Sequence, residues 1–178
     1  MLIRPATLEE VPALNALIER SALALSAGFY TPEQTAAVTR EVFGVDTQLV
    51  RDGTYYAVEL DGVLAACGGW SMRDAAYGGD GAKAGNDRLL DPTHDAARIR
   101  AFFVDPVFAR RGIGRALLRH CVQAAVRAGY QQLELTATLP GVPLYEAAGF
   151  VRGAQIDLSL SGVTVPVIRM HRSAAGLD

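Results

Sequence analysis

Apolar and polar positions along the chain change period several times, and each change marks an element. Residues 1–6 form a short extended run that ends near Pro5. Thr7, followed three residues later by Glu10, is a capping-box signature, and Val11, Leu14, Leu17 and Ile18 then recur at helical spacing. The pattern breaks at Gly28, after which Thr31 as cap and Pro32 at the first helical position open a second helix. Residues 54–60 and 63–70 are apolar strands around Asp61-Gly62, a two-residue hairpin signal. Residues 72–96, rich in Gly, Asp and Asn, keep no period and are expected to be a mobile flap over one face of a sheet. Residues 97–104 read as a strand stopped at Asp105-Pro106. Residues 112–128 read as a helix with Ile113, Ala116, Leu117, Cys121, Ala124 and Ala128 on one stripe and Gly129 as its stop. A strand over 131–137, a short helix over 144–148 ending at Gly149, and strands over 155–160 and 163–170 around Ser161-Gly162 complete the chain.

This order, with strands before, between and after helices, predicts an α/β domain built on a mixed sheet. We expect a single domain over residues 1–173 followed by a short tail, 174–178. At 178 residues the chain is long enough for one core without disulfide or metal staples. Cys67 and Cys121 each sit in an apolar run, as buried free thiols do in a reducing compartment, and neither has metal-ligand spacing. The first ten residues contain no apolar signal region, and no 18-residue apolar run occurs. The expected setting is therefore cytoplasmic, without membrane attachment and without a metal.

Net charge is −2, which gives no general attraction to nucleic acid. The distribution is more informative. Residues 98–127 hold seven arginines against the single acid Asp105, a local +6 in a chain whose remainder is −8. A solvated helix face explains such a run; so does a socket for a small polyanion. The acidic remainder is compatible with a cationic amine as a second ligand.

The residues around the arginines favour the socket. Gly112 and Gly114 follow a strand and a short loop and lead straight into a helix, and a helix N-terminus presents unpaired N–H groups and a partial positive charge. Glycines there let an anion approach the amides, although they equally suit a tight turn with close helix–sheet packing. A Walker loop is excluded, since no Gly-Lys-Ser/Thr occurs. A dinucleotide fingerprint would need glycine where Leu117 stands. Glu134 lies 20 residues after Gly114, as that motif asks, but in mid-strand, and six residues separate the preceding strand from the glycines.

Arg111-Gly112-Ile113-Gly114-Arg115-Ala116 resembles the R/Q-x-x-G-x-G/A signature of the GNAT N-acetyltransferase superfamily. Tyr145, Gly149 and Phe150, after the next strand, resemble that superfamily's Tyr-x-x-x-Gly-Phe ending. The resemblance extends in element order over residues 2–172. It implies a GNAT-like mixed, mostly antiparallel twisted sheet of six to seven strands flanked by about four helices. The implied activity is acetyl transfer from acetyl-CoA to an amine, by direct attack in a ternary complex. A non-catalytic acyl-CoA sensor on the same fold is the alternative.

By the same resemblance, Arg110, Arg111, Gly112, Ile113, Gly114, Arg115 and Ala116 cradle the pyrophosphate. Main-chain groups of Phe103 and Val104 meet the pantetheine arm. Tyr145 touches the cofactor and protonates the leaving thiolate. Thr138 replaces the asparagine that contacts pantetheine in many members. Glu134 is the candidate base, a role that an ordered water fills in many relatives; Asp105 serves equally as a turn cap. Tyr30, Trp70 and Tyr77 are candidates for the acceptor side, each more readily read as a packed aromatic. Homodimerisation through residues 155–170 is expected by analogy alone.

Overall fold

The computed structural model describes residues 1–75, 77–81 and 88–174. In chain order the elements are β1 (Leu2–Pro5), α1 (Val11–Leu25), α2 (Pro32–Glu41), α3 (Thr47–Arg51), β2 (Tyr55–Leu60), β3 (Val63–Ser71), β4 (Ala97–Val104), α4 (Ile113–Arg127), β5 (Gln132–Thr138), α5 (Val142–Ala147), β6 (Val151–Leu160) and β7 (Val163–Ser173). Seven strands form one sheet in the order β1-β2-β3-β4-β5-β7-β6. Every neighbouring pair is antiparallel except β4 with β5.

The local signals act as expected. Glu10 accepts from the Thr7 N–H at 2.9 Å. Thr31 and Gln34 exchange a second capping box at 3.0 and 3.2 Å. Asp61 and Gly62 take φ +52 and +77, and Ser161 and Gly162 take +44 and +82, the paired positive values that match a two-residue turn to the twist of its strands.

Three differences have physical causes. α3 was not expected; Asp46 caps it, accepting from the Gln48 N–H at 2.9 Å, and five residues are too few to establish a period. The buried stripe of α4 is Ile113, Leu117, Leu118, Cys121, Val122 and Ala125, rotated from the expected one. Leu118 and Val122 bury more apolar surface than Ala124 or Ala128 would, so the helix turns them inward. β6 begins four residues before the expected start, and a register shift between Arg152 and Gln155 absorbs an irregularity.

α4 and α5 pack on one face of the sheet with Trp70, Leu133 and Met170. α1 and α3 pack on the other with Tyr55, Ala57 and Cys67, and α2 covers β6 and β7 through Val38, Val165 and Val167. The expected flap falls partly on residue 76 and residues 82–87, which lie outside the described residues. Among its described residues, Gly79 and Asp80 donate from their N–H groups to the carbonyls of Val42 and Val45 at 3.0 and 3.2 Å. That stretch is part of the packed wall beside α2.

Candidate active site

β4 and β5 part after two rungs. They pair only at Ala97↔Leu133 and Arg98↔Glu134, whereas β3 follows β4 as far as Ala66↔Val104. From Ile99 onward the β5-facing edge of β4 has no ladder partner, and a wedge opens between the strands. Main-chain donors and acceptors inside a protein require partners; a ligand with amides of its own can supply them.

The parting begins with a bulge. Between Cys67↔Phe103 and Gly69↔Arg100, β4 holds one residue more than β3, and Ala101 takes φ +55. A left-handed alanine costs about 1–2 kcal/mol, and its surroundings enforce it. A Cβ on Gly68 would stand 2.8 Å from the Phe102 ring, and one on Gly69 would stand 2.4 Å from the Thr54 carbonyl oxygen, so only Gly68-Gly69 lets the bulged strand settle. The Ala101 carbonyl accepts from the buried Tyr55 hydroxyl at 3.2 Å.

At the open end of the wedge stands the α4 N-terminus. Gly112 caps it at φ +79, and nothing lies within 4 Å of a Cβ built there. Ala116 donates back to the Gly112 carbonyl at 3.0 Å, so the amides of Ile113, Gly114 and Arg115 precede the first intrahelical bond. A Cβ on Gly114 would meet Val104 and Leu144 at 3.4 and 3.5 Å; this glycine serves close packing as well. Arg110, Arg111 and Arg115 are exposed and make no ion pair among the described residues. The Arg111 guanidinium lies 5.6 Å from the centre of the Phe108 ring. Free amides, unpaired guanidiniums and an open approach fit a diphosphate.

Tyr145 enters the wedge from α5. Its ring meets those of Phe102 and Phe150 edge-on at 6.3 and 6.0 Å, and Gly141 gives it room, since a Cβ there would stand 3.1 Å from the Tyr145 ring. Burial pushes the Tyr145 phenol well above its ordinary value of 10. Tyr145, Thr138, Phe103 and Tyr77 line one cleft with Arg100 and Phe102.

Other candidates lie elsewhere. Glu134 stands at the foot of the wedge, paired with Arg98 and, at 3.3 Å, with Arg169, and does not line the cleft. Trp70 is buried under α4, edge-on to Tyr130 at 5.8 Å, and does not line the cleft. Tyr30 is buried with its hydroxyl engaged: it donates to the Pro166 carbonyl at 2.6 Å and accepts from the Leu139 N–H at 3.0 Å. It thereby ties β7 to the turn between Thr138 and α5. Asp105 caps the turn at Pro106, accepting from Val107 N–H at 3.1 Å and from Arg20 at 2.8 Å. Among the described residues no group of His, Cys, Asp and Glu could hold a metal, and no helix is long and apolar enough to cross a membrane.

Sequence reasoning missed Arg100, Val38, Val42, Gly78 and Gly79, which also line the cleft. The one available signal was the Gly78-Gly79 pair, since a Cβ on Gly79 would stand 2.8 Å from the Gly44 main chain.

The seven-stranded sheet is thus mixed, and its one parallel pair parts beside a glycine-opened helix. A family model described as the acetyltransferase (GNAT) family matches residues 21–150, and the chain belongs to that family. Acetyl transfer is the general chemistry this membership supports.

The fold recurs in a GCN5-related N-acetyltransferase from Rhodopseudomonas palustris, with TM-score 0.72 and 20% identity over 97% of this chain and 94% of that one. It recurs in yncA from Salmonella typhimurium with its cofactor acetyl-CoA, with TM-score 0.64 and 16% identity over 100% and 96% of the two chains. A third is the PaiA N-acetyltransferase from Thermoplasma acidophilum in complex with coenzyme A, with TM-score 0.62 and 14% identity over 97% and 98%. No curated protein sequence matches the chain.

Proposed function

We propose that this protein is an acetyl-CoA-dependent N-acetyltransferase in which the amine attacks the thioester directly, within a ternary complex. One observation carries the reading: the parted β4–β5 edge runs between the open, arginine-flanked N-terminus of α4 and the buried phenol of Tyr145.

In this reading the amides of Gly112–Ala116, with Arg110, Arg111 and Arg115, hold the diphosphate. The free edge of β4 at Phe103 and Val104 pairs with the pantetheine amides, and Thr138 faces it from β5. Bound acetyl-CoA supplies an activated acyl carbonyl. A main-chain N–H near Phe103–Val104 stabilises the charge that develops on the carbonyl oxygen, and Tyr145 gives its proton to the departing thiolate; the proton that the neutral amine loses as the amide forms returns through water to the phenolate, leaving the N-acetyl amine and free coenzyme A. Because burial raises the phenol above 10, Tyr145 is protonated at neutral pH.

Cysteine does not relay the acetyl group. Burial pushes the Cys67 thiol up to about 12 and the Cys121 thiol higher still, so neither offers a thiolate near pH 7. Glu134, the carboxylate expected as base, is neutralised by two guanidiniums, and its role here is to hold the foot of the wedge.

The test is a thermal-shift comparison of acetyl-CoA with NAD, followed by thiol release across an amine panel. Stabilisation by acetyl-CoA alone, together with amine-dependent thiol release, is expected. Stabilisation by NAD alone would refute the reading, and acetyl-CoA binding without release would indicate the non-catalytic sensor.

A further inference from the structure

Part of the cleft wall comes from Tyr77–Gly79, between β3 and β4. Tyr77, Gly78 and Gly79 face the cleft across from β4, and this strap is anchored at several points. The Gly78 carbonyl accepts from Arg100 at 2.5 Å, Gly79 and Asp80 bond to the main chain at Val42 and Val45, and the Asp80 carboxylate accepts from the Thr47 N–H and hydroxyl at 2.9 and 3.1 Å. Arg100 is itself buried against Asp46 at 2.8 Å, so one ion pair joins the β4 bulge, the start of α3 and the strap.

The strap separates two spaces of different character. Behind it, a groove between α1 and α2 carries Glu19, Arg40 and Asp80. In front lies the cleft. Val38, Val42, Tyr77, Leu158 and Val167 line it with Arg100, and among the described residues no Asp or Glu does. The close backbone contact of Gly44 with Gly79 stands between the two.

A polycation transferred into the front cleft would meet no carboxylate among the described residues, at a cost of several kcal/mol. An amine with an apolar body loses only its own proton. Desolvation lowers an ammonium pKa from about 10 and favours the neutral nucleophile, its proton released to solvent, where no carboxylate among the described residues lines the cleft to take it.

We propose that the Tyr77–Gly79 strap, locked through Arg100 to Asp46, makes this enzyme selective for a small primary amine with an uncharged apolar body. This rests on the acetyltransferase reading above and names its acceptor class.

The experiment measures thiol release from acetyl-CoA with phenethylamine, isoamylamine, phenylalanine, spermidine and kanamycin, using the full chain, with acetyl-CoA binding measured in parallel by calorimetry. The two apolar amines should exceed the other three in kcat/KM by at least roughly tenfold. Tyr77→Glu, which adds a carboxylate to the strap, should shift preference toward spermidine, while Tyr77→Leu should keep the apolar order. Acetyl-CoA bound normally, with spermidine, kanamycin or phenylalanine preferred or with no apolar amine acetylated, overturns the acceptor class alone. Failure to bind acetyl-CoA overturns the acetyltransferase reading beneath it.

Discussion

Replacing Tyr145 by Phe removes one oxygen atom and little else. The ring keeps its edge contacts with Phe102 and Phe150, and the hydroxyl has no hydrogen-bond partner among the described residues. Folding stability should therefore change by less than about 0.5 kcal/mol, as for a substitution that opens no cavity and orphans no partner. If the phenol is the acid, kcat should fall by about 10²- to 10⁴-fold, or roughly 3–5 kcal/mol of barrier. The assay is thiol release at saturating acetyl-CoA, with cofactor affinity by calorimetry and melting temperature as controls. Affinity should move less than about threefold, since the ring rather than the hydroxyl shapes the wedge. The pH profile gives a second readout. Burial raises the phenol above 10, and an acid works only while protonated, so the acid form persists throughout neutral and mildly alkaline pH. The wild-type rate should thus rise with amine deprotonation and show no alkaline fall below about pH 10. An unchanged kcat in Tyr145→Phe would refute the acid role, and a loss matched by collapse of cofactor binding would make Tyr145 a packing residue.

Three further outcomes follow from named contacts. Gly112→Ala places a side chain at φ +79, so it should destabilise by about 1 kcal/mol and weaken acetyl-CoA binding more than tenfold, roughly the loss expected when an anion is pushed off helix amides; thermal melts and titration separate the two. Glu134→Gln should keep kcat within about threefold while lowering the melting point slightly, as loss of a half-exposed ion-pair network does; a hundredfold loss of kcat without destabilisation would restore Glu134 as the base. At low pH, Glu10 is held down to about 2 by the hydrogen bonds of Arg4. Its folded value lies below its unfolded one, so its contribution, about 1 kcal/mol, is present above pH 4.5 and disappears as pH falls toward 2. Glu10→Gln should remove that slope from the acid-melting curve.

Much of the fold was readable because its signals are local. Thr31-Pro32, Asp61-Gly62 and Ser161-Gly162 act through their own dihedrals and nearest neighbours, and the diphosphate candidates from Arg110 to Ala116 are contiguous. The wedge was not readable in the same way. Ala101 carries no mark of its positive φ, which the register of β3 against β4 imposes; Gly68-Gly69 was the trace of that requirement. Trp70 could be read as a packed aromatic or as an acceptor-side residue because β3 is buried on both sides for seven residues, so alternation does not say which side chains face which layer. Arg100 and Asp46 meet across 54 residues, a separation at which sequence pattern carries no information.

The most direct test is a crystal structure of the protein with acetyl-CoA. The account predicts the diphosphate against the amides of Gly112–Ala116, the pantetheine arm paired with the free edge of β4 between Phe103 and Val104, and the thioester within hydrogen-bond reach of the Tyr145 hydroxyl. A donor bound on another surface, or a wedge closed by β4–β5 pairing with the donor present, would contradict it.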